Sequence, residues 1–266
     1  MSRVAWLTDL HLNFLSDKQA ETFCAALAST EADCFTITGD IGEARSVQCY
    51  LQLLESSLQR PVYFVLGNHD FYHGSITMVR EQVRDLCKKS SYLHWMPEEG
   101  IVELSEQSCL VGHDGWGDAR AGDYWKSRVE LNDWHLIGEF LGLSTSERQR
   151  VLQRLGDEAA AHFRSVLPSA LERFKHVLVL THVPPFPQAS LYQGQPSDQH
   201  GLPHFCCQAV GEVLLENMIA HPEAQMTVLC GHTHEAADVQ ILPNLRVLAG
   251  SAEYGHPKLQ RVLEVD

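Results

Sequence analysis

Short apolar runs alternate along the chain with longer segments in which apolar residues recur every third or fourth position. Val4 to Thr8, Cys34 to Thr38, Pro61 to Leu66, His176 to Thr181 and Met226 to Cys230 are short, apolar and mostly followed by glycine. That pattern predicts strands buried on both faces. Between them, Ala20, Phe23, Cys24 and Leu27 fall at i, i+3, i+4 and i+7 behind a Ser16-x-x-Gln19 capping box, which predicts a helix. Val47, Leu51, Leu54 and Leu58 repeat the period, as do Ile76, Val79, Val83 and Leu86, and again Val210, Val213, Leu214 and Met218. Strands alternating with helices of this length predict βαβ units and a largely parallel sheet. Further strands are expected at Ile101 to Leu104, Cys109 to Gly112, Ala237 to Leu242, Leu245 to Ala249 and Leu259 to Glu264, the late ones joined by tight turns such as Pro243-Asn244. These would form an antiparallel portion.

The stretch from about Gly115 to Phe174 breaks the rhythm. It has no clear strand, and Ser144-x-x-Glu147 opens a long helix carrying Leu152, Leu155, Ala159, Phe163 and Val166. It is read as a helical insertion within a single domain spanning residues 1–266, since no internal repeat or low-complexity linker divides the chain.

The polar residues that matter cluster where the apolar runs stop. Asp9-Leu10-His11 follows the first run, and in an extended chain residues i and i+2 face the same side, so both could reach one ion. Gly231-His232-Thr233-His234 repeats this arrangement near the other end of the chain. Gly39-Asp40, Gly67-Asn68-His69-Asp70 and Thr181-His182 end three more runs. In open α/β sheets the functional crevice lies beyond the carboxyl ends of the strands, and each of these clusters takes that position. Singly, such clusters are usually turns or caps. Together they would be costly to bury without an ion to offset their desolvation. The donors are imidazole, carboxylate and one amide, with no thiolate, a set suited to Mn, Fe, Zn or Ni.

Composition narrows the function further. With 20 Lys+Arg against 34 Asp+Glu, the formal charge is −14, and both halves of the chain are acidic. No Lys or Arg lies between Lys175 and Arg246, a stretch that nonetheless carries His176, His182, His200, His204, His221, His232 and His234. This is not the electrostatic footprint of a duplex nucleic-acid binder, and it favours metal ligation over a basic face. No apolar stretch approaches the roughly 18 residues of a membrane span, and no signal peptide is expected. The eight cysteines contain no Cys-x-x-Cys pair and sit mostly in apolar runs, which points to a reducing cytoplasm.

The ordered set Asp-x-His, Gly-Asp, Gly-Asn-His-Asp, His and Gly-His-x-His, spread over residues 9 to 234, resembles the pattern of the calcineurin-like metallophosphoesterase superfamily. The resemblance implies a four-layer αββα sandwich, two mixed β-sheets flanked by helices, with two divalent metal ions between the sheet edges. It implies Asp9, His11 and His234 on one ion, Asn68, His182 and His232 on the other, and Asp40 bridging them. It further implies His69 as the general acid, Glu43 as the acidic residue that orients it, and Asp70 as a third catalytic candidate. The reaction would be in-line attack on a phosphate mono- or diester by a hydroxide held between the ions. Two divalent cations against Asp9 and Asp40 leave a centre of about +2, enough to attract phosphate to an acidic protein.

Departures from the pattern bear on substrate. Ala44 stands where related protein phosphatases carry a phosphate-gripping Arg, and Arg45 comes one position late. The segment His113-Asp114-Gly115-Trp116-Gly117-Asp118-Ala119-Arg120 leaves a strand, and its glycines and aromatics suit either a lid beside the site or a packed hinge loop. His113, Trp116 and Arg120 are therefore the candidate substrate contacts, with Arg128 a further cation nearby. The expected partner is a small phosphorylated substrate, with no duplex nucleic acid and no membrane. A nuclease-type phosphodiesterase and a non-catalytic scaffold of the same fold are the alternatives, the latter disfavoured because every ligand and the acid are present.

Overall fold

A computed structural model describes residues 2–266. In chain order its strands are β1 (Ser2–Leu7), β2 (Cys34–Thr38), β3 (Val62–Val65), β4 (Leu93–Trp95), β5 (Val102–Glu103), β6 (Ser108–Gly112), β7 (His176–Leu180), β8 (Leu191–Tyr192), β9 (Gln195–Pro196), β10 (Gln225–Cys230), β11 (Ala237–Leu242), β12 (Leu245–Ala249) and β13 (Arg261–Val265). The helices are α1 (Asp17–Ala28), α2 (Val47–Leu58), α3 (Ile76–Cys87), α4 (Met96–Glu99), α5 (Asp133–Leu136), α6 (Thr145–Arg173), α7 (Leu202–Phe205) and α8 (Gln208–Ala220).

Two mixed sheets carry the fold. One runs β13-β1-β2-β3-β4 and the other β11-β12-β10-β7-β6-β5, with a separate β8-β9 hairpin. In the first sheet β1 to β4 are parallel and β13 pairs antiparallel with β1. In the second, β6, β7, β10 and β12 are parallel and the edge strands β5 and β11 are antiparallel.

The period of two along each strand sorts its residues into layers. Val4, Trp6, Leu110, Leu178, Leu180, Leu229 and Leu248 meet in the layer between the sheets. Their neighbours Ala5 and Leu7 face α1, α2 and α3, while Val111, Val177, Val179 and Val228 face α6 and α8. Strands buried on both faces therefore read as unbroken apolar runs. The result is four layers: helices, sheet, sheet, helices. Both predicted capping boxes are present, Ser16 with Gln19 opening α1 and Ser144 with Glu147 opening α6. No helix among the described residues is long and apolar enough to cross a membrane.

The stretch read as a helical insertion falls into two unlike parts. Its long helix, α6, is the crossover between the parallel neighbours β6 and β7, and its apolar stripe lies buried in the outer layer of the second sheet. The stripe that made α6 legible as a helix is also what docks it there. The remainder, residues 115 to 144, is mostly irregular and carries the single-turn α5. Strand β4 and the β8-β9 hairpin are only two or three residues long per strand and leave no periodic signal.

Phe163, fully buried in that layer, is the anchor of α6. Phe163→Ala should lower the unfolding free energy in urea by about 3–5 kcal/mol, whereas Leu141→Ala at a 56% exposed position should change it by less than about 0.5 kcal/mol. Equal small losses would show that α6 does not belong to the layer.

Candidate metal centre

Five parallel strands, β1, β2 and β3 of one sheet and β7 and β10 of the other, release their carboxyl ends toward a common seam. Hydrogen bonds stitch the loops there. Asp9 N–H donates to Gly39 O at 3.0 Å and His11 N–H to Asp40 O at 2.8 Å. Across the seam, His232 N–H donates to the Asp9 carboxylate at 3.0 Å, and the His182 Nδ1–H donates to Thr38 O at 2.8 Å.

The chain is not extended at these loops, contrary to the i, i+2 expectation. Asp9, His11, Asp40, His232 and His234 all adopt positive φ, between 43° and 70°. Non-glycine residues in that region cost about 1–3 kcal/mol each and persist where surrounding bonds hold them, as they do here. Gly39, at φ 91°, makes the sharpest turn. Gly67 is needed for a different reason: a Cβ there would fall onto the Asp40 carboxylate and the His182 ring.

The loops bring together all seven residues expected as ligands. Asp9, His11, Asp40 and His234 each offer one atom, and the four atoms lie within 4.8 Å of one another. His11 Nε2 faces His234 Nε2 at 3.0 Å, His234 Nε2 lies 3.4 Å from Asp9 Oδ1, and His11 Nε2 is 3.6 Å from Asp40 Oδ2. A second group adjoins it: His182 Nε2 is 3.4 Å from the same Asp40 Oδ2 and 3.2 Å from Asn68 Oδ1, and His232 Nδ1 is 3.1 Å from Asn68 Oδ1. Ligands at roughly 2.1 Å from a common cation stand about 3–3.5 Å apart. Both groups have that spacing, and Asp40 Oδ2 belongs to both.

The far sides of the ligands settle which atoms face inward. A carbonyl oxygen only accepts, so His182 Nδ1, against Thr38 O, and His232 Nε2, against His204 O at 3.2 Å, each carry the hydrogen. That leaves His182 Nε2 and His232 Nδ1 facing the centre, the atoms that would ligate a cation. Asn68 is oriented in the same manner. Its Nδ2 donates to Asp133 Oδ1 at 2.8 Å, and the Tyr72 hydroxyl also donates to that oxygen at 2.8 Å, which turns the Asn68 amide oxygen toward the histidines.

Electrostatics complete the fit. Burial holds His11 at about 4, and burial with the nearby His182 charge holds His232 at about 3, so both stay neutral and free to ligate. Burial works against a charged His182 as well, but with no cation beside it Asp40 outweighs burial and lifts the ring to about 10, so His182 Nε2 holds a proton that a bound cation would displace. Asp40 itself stays well below its usual range: burial opposes its charge, and His182 and His69 more than offset that. His11 Nδ1 is buried with no partner. Two buried carboxylates among converging imidazoles are what a divalent cation would neutralise.

The remaining sequence candidates divide. His69 lines the adjoining pocket, of about 350 Å³; its backbone N–H donates to Asp40 Oδ1 at 2.9 Å and its ring stacks on Tyr72 at 4.2 Å. Glu43 does not reach it. The Glu43 carboxylate takes a hydrogen bond from Asn13 at 3.2 Å and lies 3.9 Å from His73 Nε2. Asp70 is fully buried and accepts from the backbone N–H groups of Ile41, Gly42 and Gly67 at 2.8–2.9 Å, so it braces two ligand loops and touches no open space. Burial and the Asp40 charge push it up to about 8, against the pull of those donors.

None of the three proposed substrate contacts lines the pocket. Trp116 is core, packed between Phe71 and Phe140 at 5.7 and 5.9 Å between ring centroids. Arg120 turns to Asp118 and Asp157 at 3.2 and 2.8 Å. His113 is buried beside Glu158 and His162, in a separate hollow. Arg128 borders another hollow with Trp125 and His200, and Arg45 is exposed. The pocket is walled instead by Tyr72, Glu130, Asp133, Tyr192, Phe205 and Tyr254, among others. No motif marks these residues in the sequence. The one signal for Asp133, a carboxylate buried among apolar neighbours, exists only in three dimensions.

The sequence matches the family model for calcineurin-like phosphoesterases over residues 2–236. No curated protein matches it significantly. Among solved structures, the chain is similar to phosphopantetheinyl hydrolase from Mycobacterium tuberculosis, with a TM-score of 0.67 at 15% identity, covering 94% of this chain and 89% of that one. A dimetal phosphatase from Danio rerio follows at 0.57 and 14%, covering 94% and 87%. The anchor in the inner membrane complex of Plasmodium gives 0.52 and 14%, covering 99% and 77%. At these identities the likeness is one of fold.

Asp133→Ala should weaken retention of one metal equivalent by about 10- to 100-fold, by freeing the Asn68 amide to turn, and leave the other equivalent in place. Metal content after graded chelation reads this directly, and parallel loss of both equivalents would contradict the assignment. Away from the centre, burial and the neighbouring His113 charge hold the His162 imidazole at about 4 against an ordinary 6.5. The unfolded chain takes up that proton first, so this contribution to stability is complete above pH 6.5 and is lost as pH falls toward 4. Urea midpoints should drop across that window, and less steeply in His162→Gln; superimposable profiles would remove His162 as a cause.

Proposed function

Because the chain belongs to the calcineurin-like phosphoesterase family, we propose that it is a dinuclear metal-dependent phosphohydrolase acting on a small phosphorylated compound. One observation carries the reading: two ligand groups share Asp40 Oδ2 at the floor of a pocket whose wall includes His69. Asp9, His11, Asp40 and His234 would hold one ion, and Asp40, Asn68, His182 and His232 the other, with Mn, Fe, Zn or Ni suited to the donors. When bound, such a pair supplies Lewis-acid charge and a water ionised at neutral pH.

The chain supplies the remaining parts. Asp133, His204 O and Thr38 O fix the orientation of Asn68, His232 and His182, so the ligands need not reorganise during turnover. His69 would donate a proton to the departing oxygen. Its backbone is tied to Asp40, and its ring is clamped between Tyr72 and the edge of His11, with centroids 4.2 and 4.6 Å away. With Glu43 directed to Asn13 and His73, these ring contacts take over the orienting role expected of that carboxylate. All eight cysteines are free thiols, which supports a cytoplasmic setting.

With Mn²⁺ added, the protein should hydrolyse p-nitrophenyl phosphate esters and should lose the activity on chelation. His69→Ala should lower turnover by about 10²- to 10⁴-fold with metal content unchanged, and Asp40→Asn should lower the occupancy of both ions together. Unchanged turnover in His69→Ala would remove that residue from the chemistry. Activity that survives complete metal removal would overturn the reading.

A further inference from the structure

The pocket over the metal centre has an unusual wall for a phosphate site. Among the described residues, no lysine or arginine lines it. Arg120 is engaged by Asp118 and Asp157, and Arg80 by Asp114 and Glu158, so neither is available to it. Glu130 does line it, adding a negative charge. Two divalent ions and the proton that His69 would donate, less the Asp9 and Asp40 carboxylates, an attacking hydroxide and Glu130, would amount to about one positive charge. That balances one phosphate charge. A phosphomonoester is mostly dianionic near neutral pH, with a second ionisation at about 6, and its second charge would be left without a counter-ion.

The same wall is rich in apolar and aromatic surface, and that surface flanks both ligand groups. Tyr254 lies with its ring 4.6 Å from His11 and 5.1 Å from His234, is 45% exposed, and is backed by Phe14 at 4.6 Å. Beside the other group, Phe205 stands 5.2 Å from the His232 ring. Leu191 and the 67% exposed Tyr192 extend this side from the β8-β9 hairpin. Such surface favours uncharged, preferably planar groups.

We infer that the site is built for phosphodiesters, monoanions that carry an apolar or aromatic group on each side of the phosphate, in preference to phosphomonoesters. Hydrolysis adds water across one P–O bond and releases an alcohol or phenol and a monoester. The product gains a second ionisable charge and is therefore disfavoured by the pocket that formed it. The inference rests on the phosphohydrolase reading and deepens it. Tyr254 is its specificity-determining residue, and Glu130 the residue that turns away dianions.

The test compares kcat/KM of the Mn²⁺-loaded protein for bis-p-nitrophenyl phosphate, p-nitrophenyl methyl phosphate and p-nitrophenyl phosphate. We expect the aromatic diester to exceed the monoester by at least about tenfold, a margin of about 1.4 kcal/mol. Tyr254→Ala should bring the aromatic and methyl diesters to within about threefold by raising KM for the former, and Glu130→Gln should narrow the gap between diester and monoester. Calorimetry on Mn²⁺-loaded His69→Ala gives a readout without turnover: phenyl phenylphosphonate, a monoanion, should bind more tightly than phenylphosphonate, measured above its second ionisation. Metal-dependent hydrolysis with the monoester preferred would overturn this inference while the phosphohydrolase reading stands. Absence of both hydrolysis and binding for every compound would overturn the two together.

Discussion

Asp40 is a carboxylate with almost no access to solvent, at the seam where two sheets meet, and each of its oxygens has a separate task. Oδ1 accepts the His69 backbone N–H, while Oδ2 faces both His11 Nε2 and His182 Nε2. A buried charge of this kind is tolerated only if its surroundings are arranged around it. The surroundings show this. Gly67 lacks a side chain because Asp40 occupies its space, and Gly39 takes the backbone turn that presents Asp40. Residues that would prefer an extended backbone accept positive φ on either side.

A shell of buried polar groups holds this arrangement in place. Asp70 ties the Asp40 loop to the Asn68 loop through three backbone N–H groups. Asp114 accepts from Leu66 N–H at 2.8 Å, from Trp95 Nε1–H at 3.0 Å and from Arg80 at 3.0 Å, while its carbonyl receives the His182 N–H at 2.9 Å. Asp133 sets the Asn68 amide. Each carboxylate is buried and hydrogen-bonded, so the loops that carry the proposed ligands are braced against one another and against the two sheets. The geometry of the candidate centre therefore depends on residues well outside the proposed ligand set.

Much of the architecture was legible because strands buried on both faces leave continuous apolar runs, and docked helices leave a stripe of period 3.6. The exceptions have physical causes. The β4 strand and the β8-β9 hairpin are too short to show a period. The α6 helix was recognised as a helix but set apart from the sheet, since periodicity tells which face is buried and not what buries it. Glu43 and Asp70 are candidates through the resemblance, and Trp116, Arg120 and His113 through their place after a strand; the structure directs these five to Asn13 and His73, to backbone N–H groups, to the core, to Asp118 and Asp157, and to Glu158.

The sequence by itself determined which side chains can gather at the centre. Each proposed ligand is two to four residues beyond the end of a buried strand, and parallel strands must deliver those ends to the same edge of their sheet. Tertiary structure alone decided how the ligands are turned and what surrounds them. The backbone enters left-handed conformations that no local pattern announced, and Asp133, Glu130, Tyr192, Phe205 and Tyr254 reach the pocket from irregular segments, short turns and a two-residue hairpin. Segments of this kind carry little periodicity of their own. Their course is set by packing against the finished sheets, so the walls of the pocket were invisible until the chain was folded.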